Sequence, residues 1–158
     1  MNKLIHLRGD AVLALKNNEI DFLMHCCNTK GVMGSGIALQ IKNSVPDTYE
    51  RYNAYCRGIG PVNSLGSAII DSGVINLIAQ LDIGRDKRQC HYGALAKGIR
   101  SVIQLLIPNY EKPLRIGVPY KMACDRAGGD WAVVEELLES FPSGYQIVCY
   151  KLQGKIHD

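Results

Sequence analysis

Apolar positions fall into strand-length runs separated by helix-period stretches. Asp21-Phe-Leu-Met-His-Cys-Cys27 is an almost unbroken apolar run, as expected of a strand buried on both faces of a parallel or mixed sheet. Leu114-Arg-Ile-Gly-Val118 reads the same way, and Gln146-Ile-Val-Cys-Tyr150 is the final strand. Leu4-Ile-His-Leu7 is a short first strand closed by Arg8-Gly-Asp10, with His6 turned inward in a structural role. Gly66-Ser-Ala-Ile-Ile-Asp71 and Val74-Ile-Asn-Leu-Ile-Ala79, joined at Ser72-Gly73, form a hairpin. Helical spacing links Ile37, Ala38, Ile41 and Val45, then Leu95, Ile99, Val102, Ile103 and Leu106, then Trp131, Val134, Leu138 and Phe141. Pro46 ends the first of these helices or opens the next, and Pro108 ends the second. Asp82 to Gln89 is polar and glycine-containing, hence a loop. Strands alternating with helices predict an α/β fold, a sandwich around a mixed sheet.

Composition keeps this reading ordinary. The 158 residues fit one domain, 47% are hydrophobic and 21% charged. One domain over residues 1–153 and a loose tail over 154–158 are expected. No apolar run nears the ~20 residues of a membrane helix, and Met1-Asn-Lys-Leu-Ile5 lacks an apolar signal region. The six cysteines (Cys26, Cys27, Cys56, Cys90, Cys124 and Cys149) include no Cys-x-x-Cys pair, so reduced thiols, a cytoplasmic setting and no zinc site are expected. Cys26 and Cys27 are strand neighbours and point to opposite faces. The net charge is only +3, and the one basic cluster, Arg85-Asp-Lys-Arg88, is diluted by its aspartate. Nucleic acid is therefore not an expected partner. A monomer is favoured, and no motif demands a metal or cofactor.

Two segments carry candidate chemistry. Each runs strand, glycine-containing loop, helix: Asn28 to Gly36 after the Asp21 strand, and Pro119 to Gly129 after the Leu114 strand. Ligands of open α/β sheets bind at the carboxyl ends of strands. Glycine lets backbone N–H groups converge on a ligand, and a helix N-terminus adds partial positive charge. The first loop lacks the P-loop Gly-Lys-Ser/Thr ending, and Gly34-Ser-Gly36 is shorter than the dinucleotide fingerprint. Side by side, the two loops favour a phosphate-containing ligand held from both sides.

Four stretches, in this order and spacing, resemble the macro domain family of ADP-ribose-binding proteins from Ile5 to Leu152. They are Gly9-Asp10, Met24-His-Cys-Cys-Asn28, Gly31-Val-Met-Gly-Ser-Gly-Ile-Ala38, and Pro119-Tyr-Lys-Met through Ala127-Gly-Gly-Asp-Trp131. The resemblance is greatest to the branch of ADP-ribose 1''-phosphate phosphatases, including yeast and phage-type members. It implies a three-layer α/β/α sandwich and ADP-ribose or its 1''-phosphate as ligand. The implied reaction removes the terminal phosphate; the alternatives are a reader without catalysis and an ADP-ribosyl-protein hydrolase. It implies that Asp10, next to Gly9, accepts from the adenine amino group, as an acceptor-only carboxylate can. Backbone around Gly34-Ser-Gly36, flanked by Met33 and Ile37, would hold the diphosphate together with Cys124, Asp125, Arg126, Ala127 and Gly128. Asn28 would hold the distal ribose at the reacting position.

The departures bear on catalysis. The branch that strips ADP-ribose from acidic side chains uses a lysine at the end of the hairpin's second strand, where this chain has Gln80. That branch's second-loop aspartate is replaced by Ala127, so a lysine-adduct route is not expected. Asp125 stands where the family carries a glycine, and Arg126 follows it. The catalytic candidates are His25, Asn28 and Asp125. His25 is either a general acid or base, with a pKa suited to either, or a strand histidine satisfied by a backbone carbonyl. Asn28 is either a turn asparagine or a ligand contact. Asp125 is a base or nucleophile offset by Arg126, or half of a solvated pair. Lys30 and Lys121 lie in the loops and either touch phosphate or face water. Tyr92 and Trp131 are read as packing aromatics.

Overall fold

The computed structural model of the chain describes residues 2–84, 87–108, 111–124 and 127–152. The Asp125-Arg126 pair and the 154–158 tail singled out above lie outside the described residues. In chain order the elements are β1 Ile5–Arg8, α1 Ala11–Lys16, β2 Phe22–Asn28, α2 Gly36–Ser44, α3 Pro46–Ile59, α4 Pro61–Ser64, β3 Ala68–Asp71, β4 Val74–Gln80, α5 Tyr92–Leu105, β5 Leu114–Pro119, α6 Trp131–Leu138 and β6 Tyr145–Lys151. The sheet order is β1-β6-β5-β2-β4-β3. Every neighbouring pair is parallel except the β3–β4 hairpin.

Period-two alternation in the buried strands divides the core. Met24 and Cys26 of β2, Ile75, Leu77 and Ala79 of β4, and Ile147 and Cys149 of β6 pack with α5 and α6. Leu23 and Cys27, Val74 and Ile78, and Val148 and Tyr150 face the other way, towards α1, α2 and α3. Helices therefore cover both faces, and the fold is the three-layer α/β/α sandwich that the resemblance implies. Cys26 and Cys27 do occupy opposite faces. Among the described residues no helix is long and apolar enough to cross a membrane.

Local chemistry explains the joints. Pro46 opens α3 at its first turn, where a missing N–H costs nothing. Ser72 and Gly73 both have positive φ, 53° and 79°, the conformation of a tight two-residue hairpin turn. Helix α1 was not expected from the sequence. It is only 6 residues long, and Asp10 caps it by accepting from the N–H groups of Val12 at 2.9 Å and Leu13 at 3.1 Å.

One expectation is corrected. His6 is not turned into the core: all four residues of β1 are exposed. Strand β1 is an edge with β6 as its single neighbour, and His6 Nε2 reaches only to Glu135 at 3.8 Å.

Gly117 shows how tightly α1 and its exit segment lie on the sheet. A Cβ at this position would fall 2.4 Å from Cδ1 of Ile20 and 3.2 Å from Cε2 of Tyr150. Gly117→Ala is expected to destabilise the fold by about 1–3 kcal/mol through overpacking, read as a lowered urea midpoint. An unchanged midpoint means that Ile20 yields freely.

Candidate functional site

Five parallel strands bring their carboxyl ends to one edge of the sheet, and all five ends line a single cleft of about 900 Å³. Gly9 and Asp10 follow β1, Tyr150 and Lys151 close β6, Pro119 closes β5, Asn28 closes β2 and Gln80 closes β4. The size and the mixed lining suit a small-molecule ligand. Because of the strand order, Asp10 stands towards one end of this edge and Gln80 towards the other.

The first loop supplies Met33, Gly34, Ser35, Gly36 and Ile37 to the lining. Ser35 is the N-cap of α2, yet its side chain makes no capping hydrogen bond. The first-turn N–H groups of a 9-residue helix therefore open on the cleft without a side-chain partner. The loop is held from below by Asn28. Its Oδ1 accepts from the N–H of Lys30 at 3.0 Å and from the hydroxyl of Tyr52 at 2.9 Å, and its Nδ2 donates to the carbonyl of Val32 at 3.0 Å. The Tyr52 hydroxyl also reaches the Asn28 carbonyl at 2.6 Å. Burial drives the Tyr52 phenol far above its ordinary value, so it remains a donor. Most of the bonding capacity of Asn28 thus shapes the turn, while the residue still borders the cleft.

The second loop supplies Tyr120, Lys121, Met122, Ala123 and Ala127. Lys121 and Ala123 hold φ of 60° and 67°, a left-handed conformation that costs energy outside glycine and asparagine. Two expected ligand contacts, Cys124 and Gly128, are not among the residues lining the cleft. The Cys124 thiol turns to the Met122 carbonyl at 3.2 Å, and Gly128 packs against Arg88. Lys121 borders the cleft, whereas Lys30 instead pairs loosely with Asp82 at 3.9 Å. Tyr120 and Trp131 pack edge to face with centroids 5.3 Å apart, and the Tyr92 hydroxyl accepts from the Asp130 N–H at 2.9 Å, in keeping with packing roles.

Asp10 keeps both of its proposed uses open. Oδ1 caps α1, while among the described residues Oδ2 receives only a long 3.4 Å contact from Gln40, so an acceptor remains at the cleft.

His25 belongs to a buried network that borders the cleft. It is 1% exposed and lies 2.7 Å from Oδ1 of Asn76 through Nε2. Asn76 Nδ2 donates to Thr48 Oγ1 at 2.9 Å and to the Ile69 carbonyl at 3.0 Å. That carbonyl can only accept, so the amide orientation is fixed and His25 carries its proton on Nε2. Burial lowers the His25 pKa from 6.5 to about 4, partly offset by the Asn76 bond. At neutral pH the ring is uncharged, a weak base with its one N–H already committed. The partner that satisfies it is a side chain of β4, not a backbone carbonyl.

A pH dependence follows. Above about pH 6.5 His25 is neutral in both folded and unfolded chains and contributes nothing to pH dependence. As pH falls from 6.5 towards 4, the unfolded chain takes up a proton that the fold refuses. Stability is therefore lost on acidification, by roughly 3 kcal/mol at the lower end from this group. Urea midpoints between about pH 7 and about pH 4.5 measure it, and His25→Leu is expected to flatten that slope. An equal slope in the variant would assign the acid sensitivity to carboxylates.

Tyr52, Asn76 and Gln89 are site-shaping residues that the sequence reading did not single out. For Tyr52 a signal existed: Thr48, Tyr52 and Cys56 recur every four residues and are the buried residues of α3.

No protein-family model matches the chain. Locally it is 33% identical over 72 residues to an ADP-ribose 1''-phosphate phosphatase of Meyerozyma guilliermondii, a match covering 44% of this chain. The match spans only 41% of that relative's length. Its fold agrees with the macrodomain of Mycobacterium tuberculosis DarG at a TM-score of 0.70 and 25% identity, over 95% of this chain and 98% of the other. It also agrees with Thermosipho africanus DarTG, solved in complex with ADP-ribose, at a TM-score of 0.68 and 18% identity over 100% of this chain and 44% of the other. With the same architecture over 95% of its length and two glycine loops at the strand ends, this chain has the fold of a macro domain.

Proposed function

We propose that the protein binds ADP-ribose across the carboxyl edge of its sheet and hydrolyses ADP-ribose 1''-phosphate to ADP-ribose and phosphate. The observation that carries the reading is the open N-terminus of α2, uncapped by Ser35 and facing a cleft built from five strand ends. Adenine lies at Asp10, the diphosphate at Gly34-Ser-Gly36 and the second loop, and the distal ribose at Asn28 and Gln80. The curated relative named as an ADP-ribose 1''-phosphate phosphatase supports the choice of substrate.

In the reaction water attacks phosphorus, the bond from phosphorus to the sugar oxygen breaks, and that oxygen takes up a proton. Positioning and charge stabilisation carry most of such a step. The helix N-terminus and Lys121 supply positive potential at the cleft. A histidine neutral at pH 7 and bonded to Asn76 is a poor proton carrier, so the proton role falls to Asp125. The same observation favours a second reading, a reader that binds ADP-ribose and leaves it intact. Gln80, an amide where a related branch has its lysine, is consistent with that reading too.

Incubating the purified protein with ADP-ribose 1''-phosphate and, separately, with an ADP-ribosylated protein decides among these. Release of phosphate that is lost in Asp125→Asn supports the phosphatase. Micromolar ADP-ribose binding with neither product released leaves the reader. Free ADP-ribose from the modified protein would replace both.

A further inference from the structure

Among the described residues one buried side-chain polar atom has no hydrogen-bond partner, Oε1 of Gln89. Gln89 is 2% exposed and lines the cleft. Its backbone is fully engaged: the N–H donates to the Ala127 carbonyl at 2.8 Å, and the carbonyl accepts from the Leu81 N–H at 2.9 Å. Those bonds join the segment after β4 to the second loop, and any residue could make them. The carboxamide itself is therefore not needed to place the segment. Burying an amide oxygen without a partner is costly, and native folds keep few such groups without a use.

Its location narrows the use. Gln80, at the end of β4, bridges Cys90, the residue after Gln89. Two carboxamides thus meet the cleft beyond β4. Asp10 lies beyond β1, with β6, β5 and β2 in between. We infer that Gln89 is a specificity-determining residue whose carboxamide bonds a hydroxyl of the ligand's distal ribose. The inference rests on the reading above, in which adenine occupies the Asp10 end. A carboxamide both donates and accepts, so it matches a hydroxyl, which does the same. An acceptor-only group in that place would leave the Gln89 oxygen unpaired. The free protein carries the unpaired oxygen, and the sugar satisfies it. The site then selects ADP-ribose over ADP, which lacks the distal sugar, as sites built to bond a hydroxyl reject analogues without one.

Calorimetric titration of ADP-ribose and of ADP into the wild-type protein and Gln89→Met tests this. The variant is expected to bind ADP-ribose about tenfold more weakly and ADP unchanged, since one hydrogen bond is lost at the distal end alone. It is also expected to melt at or above the wild-type temperature, because the unpaired oxygen is gone. If Gln89→Met does not fold, Gln89→Asn withdraws the amide by one methylene, and the same selective loss is expected. A wild-type preference for ADP-ribose that survives in the variant overturns the inference. So does an equal loss for both ligands, or a lowered melting temperature with ligand preference intact. A wild-type protein that binds neither nucleotide defeats the ADP-ribose reading itself, and this inference with it.

Discussion

Gly34→Glu is expected to leave the fold standing and to weaken ADP-ribose binding at least about 100-fold, roughly 2.7 kcal/mol. Gly34 is exposed at the cleft with ordinary negative φ, and a Cβ built on it meets nothing within 4 Å. The glutamate therefore costs little before ligand arrives. Once a diphosphate occupies the loop, the carboxylate stands beside like charge at a helix N-terminus meant for an anion. Two unit charges about 4 Å apart at a protein surface repel by about 4 kcal/mol, enough for the loss expected. Calorimetry and a thermal melt on one preparation check it. Undiminished affinity would remove the diphosphate from this loop.

The two loops use glycine differently. At Gly129 a Cβ would fall 2.6 Å from the Ala123 carbonyl oxygen and 3.2 Å from the Cys90 sulfur. Substitution there must move backbone, so loss of binding would come with loss of stability. Gly34 is the position where ligand contact can be separated from folding.

That separation also marks what the sequence could reveal. Strands β2 and β4 were legible because burial on both faces imposes unbroken apolar runs, and the Ser72-Gly73 hairpin because its turn demands positive φ. The glycine loops were legible because their chemistry is local. Strand order is not local. His6 read as inward because alternation says which residues share a face, not whether anything covers that face. Gln89 lay in a stretch read as a polar loop, and only its backbone bonds to Leu81 and Ala127 bury it. The supports of the site were hidden for the same reason. Tyr52 meets Asn28 from 24 positions away, and Asn76 meets His25 from 51.

That last pair carries the largest expected stability effect. Asn76→Leu is expected to destabilise the fold by about 3–5 kcal/mol, a large share of the ~5–15 kcal/mol that holds a domain together. The leucine deprives His25 Nε2, Thr48 Oγ1 and the Ile69 carbonyl of their Asn76 partner, at 0% exposure for Thr48 and Asn76 and 1% for His25. His25→Leu alone removes the histidine and leaves Asn76 Oδ1 with the long 3.8 Å contact from the Cys27 thiol, so its cost is smaller. Removing both partners replaces a polar pair with apolar neighbours, and the double variant should recover part of the Asn76→Leu loss. Urea unfolding of the four proteins yields the coupling directly. A double variant whose loss is the sum of the singles would mean that His25 and Asn76 stabilise independently. Turnover in His25→Leu then separates support from catalysis: full activity on ADP-ribose 1''-phosphate in a folded variant assigns the histidine to holding β2 against β4 at the cleft, and loss of activity without loss of ADP-ribose binding returns the proton to it.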